Sequence, residues 1–237
     1  MKKITQYGIM LVVGLVLSGC YTTGLSLRET RSYNFTNFLY GLYEGQPVKG
    51  AEAPKVQKPI KLAVAQIGEN TAPQVMLDRF REESNLITAV ETIPAGGLSQ
   101  NDYYDSKKEN DPGEFSEKMQ KMRALAQDLG SDYLLVFGGT ADYGTTPNFL
   151  QVFDITIIGA YILPSTKHSA EGRASGALID TQTGRVVFMV NSESKIEKYT
   201  PSYMNYYDGS SQILADLRDD LVQKLSDNFV EKISVVN

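Results

Sequence analysis

The sequence predicts an α/β (α+β) fold with a mixed sheet, in the element order β-α-β-α-β-β-β-β-α. Three observations predict it. Short apolar strands alternate with amphipathic helices in the first half, at 60–67, 71–83, 86–93, 111–129 and 132–137. Three strand-like segments then follow one another, at 151–163, 170–180 and 185–195. The chain closes with an amphipathic helix at about 211–233.

The first half predicts parallel strands. Ile60–Ile67 is almost wholly apolar, which is typical of a central strand. The sequence Thr71-Ala-Pro-Gln74 has the form of a capping box and predicts a helix to about Glu83 that buries Val75, Met76 and Phe80. Gly130 is expected to end the second helix. Two βα units in series predict neighbouring parallel strands with right-handed crossovers.

The second half contains one unusual segment. Phe149–Leu163 is apolar on both faces of a strand, which favours a central buried strand. The alternative is a strand that contacts a partner or inserts into a membrane. The turn Asp180–Arg185 carries Gly184 where a positive φ is expected. The last helix has an apolar stripe with a spacing of four residues: Ile213, Leu217, Leu221, Leu225 and Phe229.

The start of the chain predicts an exported protein. Lys2 and Lys3 precede an apolar run at Ile9–Leu17 and then small residues, a secretory signal too short to span a bilayer. Leu17-Ser-Gly-Cys20 resembles the lipobox of bacterial lipoproteins. This resemblance implies removal of residues 1–19 and a covalent diacylglycerol and N-acyl chain on Cys20. An ordinary signal peptide with an incidental cysteine is the alternative.

The sequence therefore divides into a signal peptide at 1–19, a lipidated tether with an aromatic docking segment at 20–59, and a single α/β domain at 60–237. Loss of Lys2 and Lys3 changes the net charge from −5 to about −7. An acidic chain argues against nucleic-acid binding and against electrostatic attraction to anionic lipid. Membrane attachment is thus expected through the acyl chains alone. In the resembling lipoproteins aspartate after the cysteine tends to retain the protein in the inner membrane, so Tyr21 implies the outer membrane. The domain is expected to face the periplasm.

Two aromatic segments are candidate partner-binding surfaces, because tyrosine is enriched at interfaces. The first is the segment 33–43 and the second is the segment 199–207. Their candidate contact residues are Tyr33, Phe35, Phe38, Tyr40, Tyr203, Tyr206 and Tyr207. The alternative for the second segment is a loop packed over the sheet edge.

Several short elements resemble a group of envelope proteins. Asp132-Tyr-Leu-Leu-Val136 and the hairpin Ile179–Val187 look like parts of the TolB amino-terminal domain, the curli secretion lipoprotein and lipoproteins that activate penicillin-binding proteins. Tyr33–Tyr43 and Asp154–Pro164 are similar to rhombotarget lipoproteins. The resemblance implies an assembly or regulatory role, and it supplies no shared catalytic residues.

The sequence offers little catalytic chemistry. His168 is the single histidine and is expected to be a surface residue in a turn between strands. With Cys20 lipidated, a zinc site of histidine and cysteine ligands is excluded. The acidic residues Asp102, Asp105 and Asp111 depart from the EF-hand spacing, which favours a solvated loop. No catalytic residue, metal or cofactor is therefore expected beyond the acyl chains.

These observations predict a non-enzymatic, lipid-anchored protein of the outer membrane that acts as a scaffold or adaptor in envelope assembly or secretion. Its partners are the membrane, through the anchor, and envelope proteins of unknown identity, and an oligomer is possible. Two alternatives remain open: a subunit of an oligomeric secretion channel, and a periplasmic hydrolase.

Overall fold

A computed structural model describes residues 56–95, 112–156, 161–201 and 206–236, with backbone alone at 112–116, 154–155 and 206–209. The elements are β1 (Ile60–Gln66), α1 (Gln74–Glu82), β2 (Ile87–Thr92), α2 (Pro112–Asp128), β3 (Tyr133–Pro147), a 3-10 helix (Phe149–Ile155), β4 (Thr166–Asp180), β5 (Val186–Thr200) and α3 (Tyr206–Val235). The predicted α/β class is confirmed. The element order agrees with the prediction except at one segment, where the 3-10 helix replaces a strand.

The five strands form one mixed sheet in the order β2-β1-β3-β4-β5. β1 is parallel to both of its neighbours, β2 and β3, because each crossover returns through a helix. β4 is antiparallel to both of its neighbours, β3 and β5. The predicted parallel pairing and mixed strand directions are both confirmed.

Helices cover the sheet on both faces. On one face α1 and α3 bury the larger apolar cluster, which includes Phe80, Leu135 and all five predicted stripe residues of α3. On the other face α2 covers a smaller cluster around Met119, Met122 and Ala126. The side chains of β1 and β3 alternate between the two clusters, as burial of a strand on both faces requires.

Half of the sheet extends beyond the parallel strands. Only Tyr133–Phe137 of β3 pairs with β1, whereas β3 and β4 stay paired up to Pro147 and Thr166. At 3.3 Å per residue, this three-stranded arm projects about 30 Å past the end of β1. The amino-terminal half of α3 packs on one face of the arm, where Leu217 and Leu221 approach Gly172. The other face of the arm carries cross-strand ion pairs, including Glu171 with Lys195 and Arg173 with Glu193.

β5 is the longer of the two edge strands, and α3 caps part of its backbone. Asn228 donates from Nδ2 to the carbonyl oxygen of Asn191 at 2.7 Å, and Lys232 donates from Nζ to that of Met189 at 2.9 Å. These bonds occupy backbone acceptors that another strand would otherwise use.

The prediction of a strand at 151–163 is wrong for its first residues, because Phe149–Ile155 forms a 3-10 helix. β3 already ends at Pro147, which supplies no amide proton to continue a ladder. The side chain of Asn148 then accepts the Leu150 amide proton and begins the helix.

Local details of α1 also differ from expectation. Pro73 occupies the N-cap and no side chain caps this helix, so the predicted capping box is absent. Met76 and Phe80 are buried as predicted, but Leu77 takes the place expected for Val75, which is exposed.

Candidate functional site

The far end of the arm exposes a group of large apolar side chains, which we call the apolar tip. It consists of Phe149, Val152 and Phe153 on the 3-10 helix together with Tyr161 and Ile162. Phe149 is 82% exposed, Ile162 68% and Tyr161 57%, while the other two are half exposed. Single exposed apolar residues are ordinary, but a group of five at one turn marks an interaction surface.

Asn148 holds together the two chain segments at the base of the tip, which we call the neck. Its amide proton goes to the carbonyl oxygen of Ser165 at 2.9 Å, and its Nδ2 donates to that of Pro164 at 2.6 Å. Its Oδ1 accepts the Leu150 amide proton at 2.8 Å. One side chain therefore ties the two ends of the tip together and sets the direction of the 3-10 helix.

His168 lies just below this neck, on the face of β4 that α3 covers, and not on the surface. The expectation of a turn residue is wrong because β4 begins at Thr166, and His168 is 2% exposed. Its Nδ1 lies 2.6 Å from the Tyr143 hydroxyl and its Nε2 lies 2.7 Å from Oγ1 of Thr200. A neutral imidazole has one donor and one acceptor, and two hydroxyls can satisfy both.

Burial lowers the pKa of His168, so the ring is neutral at pH 7. The 2.7 Å contact with Thr200 has the length of a nucleophile–base hydrogen bond. The second partner of the ring is the Tyr143 hydroxyl, where a hydrolytic triad places a carboxylate that stabilises the imidazolium. Both ring nitrogens of His168 already contact hydroxyls, and the ring is 2% exposed. We therefore assign these three residues to holding the three strands of the arm together.

A cleft of about 430 Å³ lies at the carboxyl ends of β1 and β2, lined by residues that include Gln66, Glu69, Thr92 and Arg218. α1 follows β1 on one face of the sheet and α2 follows β2 on the other, and open α/β sheets commonly bind ligands at the carboxyl ends of their parallel strands. The polar side chains that line it are all at least partly exposed. Its most defined polar contact is internal to α1, from Gln74 Nε2 to Asp78 at 2.6 Å. The cleft therefore indicates no particular ligand.

Metal ligands are not grouped in the described part of the chain, where no three histidine, cysteine or acidic side chains converge. The acidic loop at 102–111 lies outside the described residues. Within the described ranges, no helix is both long enough and apolar enough to cross a membrane.

Cys20, Tyr33, Phe35, Phe38, Tyr40 and Tyr203 lie outside the described residues. Tyr206 and Tyr207 form the start of α3, and only their backbone is described. Tyr199, in the same tyrosine-rich segment, is exposed on the charged face of β5.

The apolar tip is the surface that strand periodicity missed. The signal for it was present in the bracketing residues, since Pro147, Asn148 and Pro164 are all typical of turns and helix starts. Prolines on both sides limit ladder pairing at the two ends of the segment, so a turn or a short helix there was an alternative to one long strand.

No family model matches this chain, and none of the curated proteins matches it. Among solved structures, the chain is similar to the PelC dodecamer from Paraburkholderia phytofirmans, at 12% identity and a TM-score of 0.33, over 74% of this chain and 91% of that one. It is similar to lipoprotein GNA1162 from Neisseria meningitidis at 14% identity and a TM-score of 0.27, over 67% and 97%. It is also similar to a neuraminyllactose-binding hemagglutinin homolog from Helicobacter pylori at 10% identity and a TM-score of 0.33, over 81% and 92%.

Besides GNA1162, similar structures from Shewanella oneidensis and Acinetobacter baumannii are also bacterial lipoproteins. Because the TM-scores and identities are this low, the function proposed below rests on the residues of this chain alone.

Proposed function

We propose that this chain is a lipid-anchored, non-enzymatic protein of the bacterial envelope that acts as a scaffold or adaptor. The observation that carries the proposal is Leu17-Ser-Gly-Cys20 directly after a charged start and a short apolar run. Cys20 would carry diacylglycerol and an N-acyl chain. Two or more acyl chains anchor a protein stably where one does not.

Tethering is the proposed mechanism. A domain held on a bilayer meets partners of the same membrane at a raised effective concentration. The described domain supports such a role through its long arm, on whose charged face the edge strand β5 exposes Tyr199. Tyr21, which follows the cysteine, supports the outer membrane as the membrane of the anchor. The periplasmic side is a further part of the proposal.

Neither alternative gains a specific observation. The secretion-channel hypothesis depended on a membrane-inserting strand at 149–163, where the described residues begin with a 3-10 helix. The hydrolase hypothesis needs an accessible base, and His168 is buried.

The anchor is tested by growing cells with an alkyne-tagged fatty acid and comparing the wild type with Cys20→Ser. We expect the label on the wild type and none on the variant, because Cys20 is the only thiol in the chain. The intact mass of the wild type should equal residues 20–237 plus the acyl groups. An unlabelled wild type, or equal labelling of the two, contradicts the anchor.

The adaptor role is tested by photo-crosslinking in intact cells from a reactive residue placed at Tyr199. The same residue at Leu129, exposed at the end of α2, provides the matched control. Defined envelope-protein adducts from position 199 alone support the role. Identical adducts from both positions would indicate random collision with neighbouring proteins, and they would count against the adaptor role.

A further inference from the structure

We infer that the apolar tip inserts into the interfacial layer of the bilayer that carries the acyl chains of Cys20. The choice of this bilayer as the occupant rests on the anchor proposed above. Four features of the described residues, and the length of the tether, lead to it.

The first feature is composition. Three of the five tip residues are aromatic and two are aliphatic, the residue types that enter the boundary between headgroups and acyl chains. Asp154 is the single charged residue between Pro147 and Lys167 in the sequence. A surface turn in water would be polar, so the tip is suited to a surface that excludes water.

The second feature is the contrast between the two ends of the sheet. The turn that joins β4 to β5, Thr181–Arg185, is polar throughout apart from Gly184. It lies at the opposite end of the same antiparallel pair from the tip. Two turns of one sheet therefore differ in polarity, which points to different surroundings at the two ends.

The third feature is shape. The tip is the end of a projecting arm, and its apolar side chains are 50% to 82% exposed. A bilayer accepts a projecting apolar group anywhere on its surface, whereas a protein partner would need a matching hollow. The three Asn148 hydrogen bonds fix the two ends of the tip before it inserts.

The fourth feature is charge. The lysines nearest the tip are already paired, Lys167 with Glu197 at 2.8 Å and Lys198 with Asp216. No uncompensated basic cluster is therefore available at the described end of the arm to attract anionic headgroups. Insertion should then depend on apolar contact, and it should be insensitive to anionic lipid and to salt.

The tether is long enough for the tip to reach its own membrane. Residues 20–55 provide 36 residues between the anchor and the described domain. A fully extended chain of that length spans roughly 120 Å, and β3 measures about 46 Å from its first residue to the tip. The anchor and the tip can therefore occupy one bilayer at the same time.

The chain has no tryptophan, so a single introduced tryptophan reports one position. Phe149→Trp and Phe153→Trp place the probe at the tip. Leu129→Trp places it at an exposed apolar position at the opposite end of the sheet. Each full-length protein, purified with its acyl groups, is reconstituted into phosphatidylcholine vesicles with or without brominated acyl chains.

We expect blue-shifted emission and strong bromine quenching at positions 149 and 153, and neither at 129. Adding phosphatidylglycerol or salt should leave the quenching unchanged. Unquenched emission from both tip positions in protein that floats with the vesicles overturns the inference. A blue shift that bromine does not quench also overturns it, because the tip is then covered by protein, such as a second copy.

The anchor and the tip are scored separately. The intact mass of each sample reports whether acyl chains are present, independently of the tryptophan signal. Acylated protein with an unquenched tip defeats the inference and leaves the proposed function standing. Protein without acyl chains whose tip is quenched on addition of vesicles defeats the anchor, and it shows that the tip enters a bilayer by its own apolar contacts.

Discussion

At His168 the arm buries a titratable ring between two hydroxyls. Tyr143 is on β3 and Thr200 is at the end of β5, so the imidazole connects all three strands of the arm just below the apolar tip. Sequence alone placed this residue in a surface turn, because Pro164-Ser-Thr-Lys-His168 looks like a loop until the partner strands are known. Its burial is a consequence of pairing with distant residues.

The buried ring makes stability depend on pH. The pKa of His168 is lowered in the folded state, so the unfolded chain binds more protons as the pH falls below the ordinary value of about 6.5. The free energy of unfolding should therefore fall with decreasing pH in this range, by at most about 1.4 kcal/mol per pH unit. Urea unfolding at pH 7.5, 6.5 and 5.5 measures it.

His168→Gln is the matched variant, since the amide keeps one donor and one acceptor but does not titrate. Because the chain has one histidine, the variant should lose the decline between pH 7.5 and 5.5. An equal decline in both proteins would assign the pH dependence to other groups. The carboxyl pKa values of Asp220 and Glu197 are lowered mainly by Lys224 and Lys167, respectively, so their contributions disappear only at more acidic pH.

At the scale of elements, the packing of α3 on the arm depends on a glycine. A Cβ at Gly172 would lie 2.7 Å from Cδ1 of Leu221 and 2.9 Å from the carbonyl oxygen of Thr140. The helix can approach the strand this closely only where β4 has no side chain.

Gly172→Ala should destabilise the protein by about 1–3 kcal/mol, because the helix must move away from the strand. Gly144→Ala is the control within the same arm, since its nearest neighbour would be Oγ of Ser169 at 3.8 Å. That change should be neutral or stabilising by up to about 1 kcal/mol. Thermal or urea unfolding of both variants measures the difference, and equal effects would refute the close-packing argument.

The sequence alone predicted those elements in which apolar residues repeat with the period of a helix or a strand. β1, α1, β2 and the stripe of α3 were predicted within a few residues, because burial on a fixed face imposes a repeating pattern. The sequence did not predict that β3 continues into the arm, since Gly138, Gly139 and Gly144 interrupt the apolar run. Its strand conformation is fixed by the ladder with β4, which local sequence does not contain.

The prediction for the residues of the apolar tip was wrong for a related reason. Phe149, Val152 and Phe153 are consistent with a buried strand as long as only their polarity is considered. Whether an apolar residue is buried depends on what lies beside it in three dimensions. At the end of a projecting arm the described residues offer these side chains no neighbouring layer, so they are exposed.

For the whole molecule, one side chain links the parallel and antiparallel halves. Phe229 of α3 is fully buried, with its ring 4.9 Å from Phe80 of α1 and 5.5 Å from Phe188 of β5. Arg79 joins the same two helices through Asp227 at 2.7 Å. The arm and the βα half are therefore expected to unfold together.

Phe229→Ala should lower the free energy of unfolding by about 3–5 kcal/mol, because it leaves a cavity where three elements meet. Leu129→Ala, at a position 47% exposed, should change it by less than about 0.5 kcal/mol. Circular dichroism during urea unfolding measures both. Two separate transitions in the Phe229→Ala protein would indicate that the halves have become uncoupled, and an unchanged midpoint would refute the central role of this ring.

The position of β1 has a mechanical consequence. The described chain enters the sheet directly at Ile60, and β1 is hydrogen-bonded along its length to β2 on one side and to β3 on the other. A pull on the preceding residues acts along this strand and loads both ladders in shear, so many hydrogen bonds must break together. A protein held by its amino-terminal end would thus bear tension on two ladders at once, and not on a single edge strand.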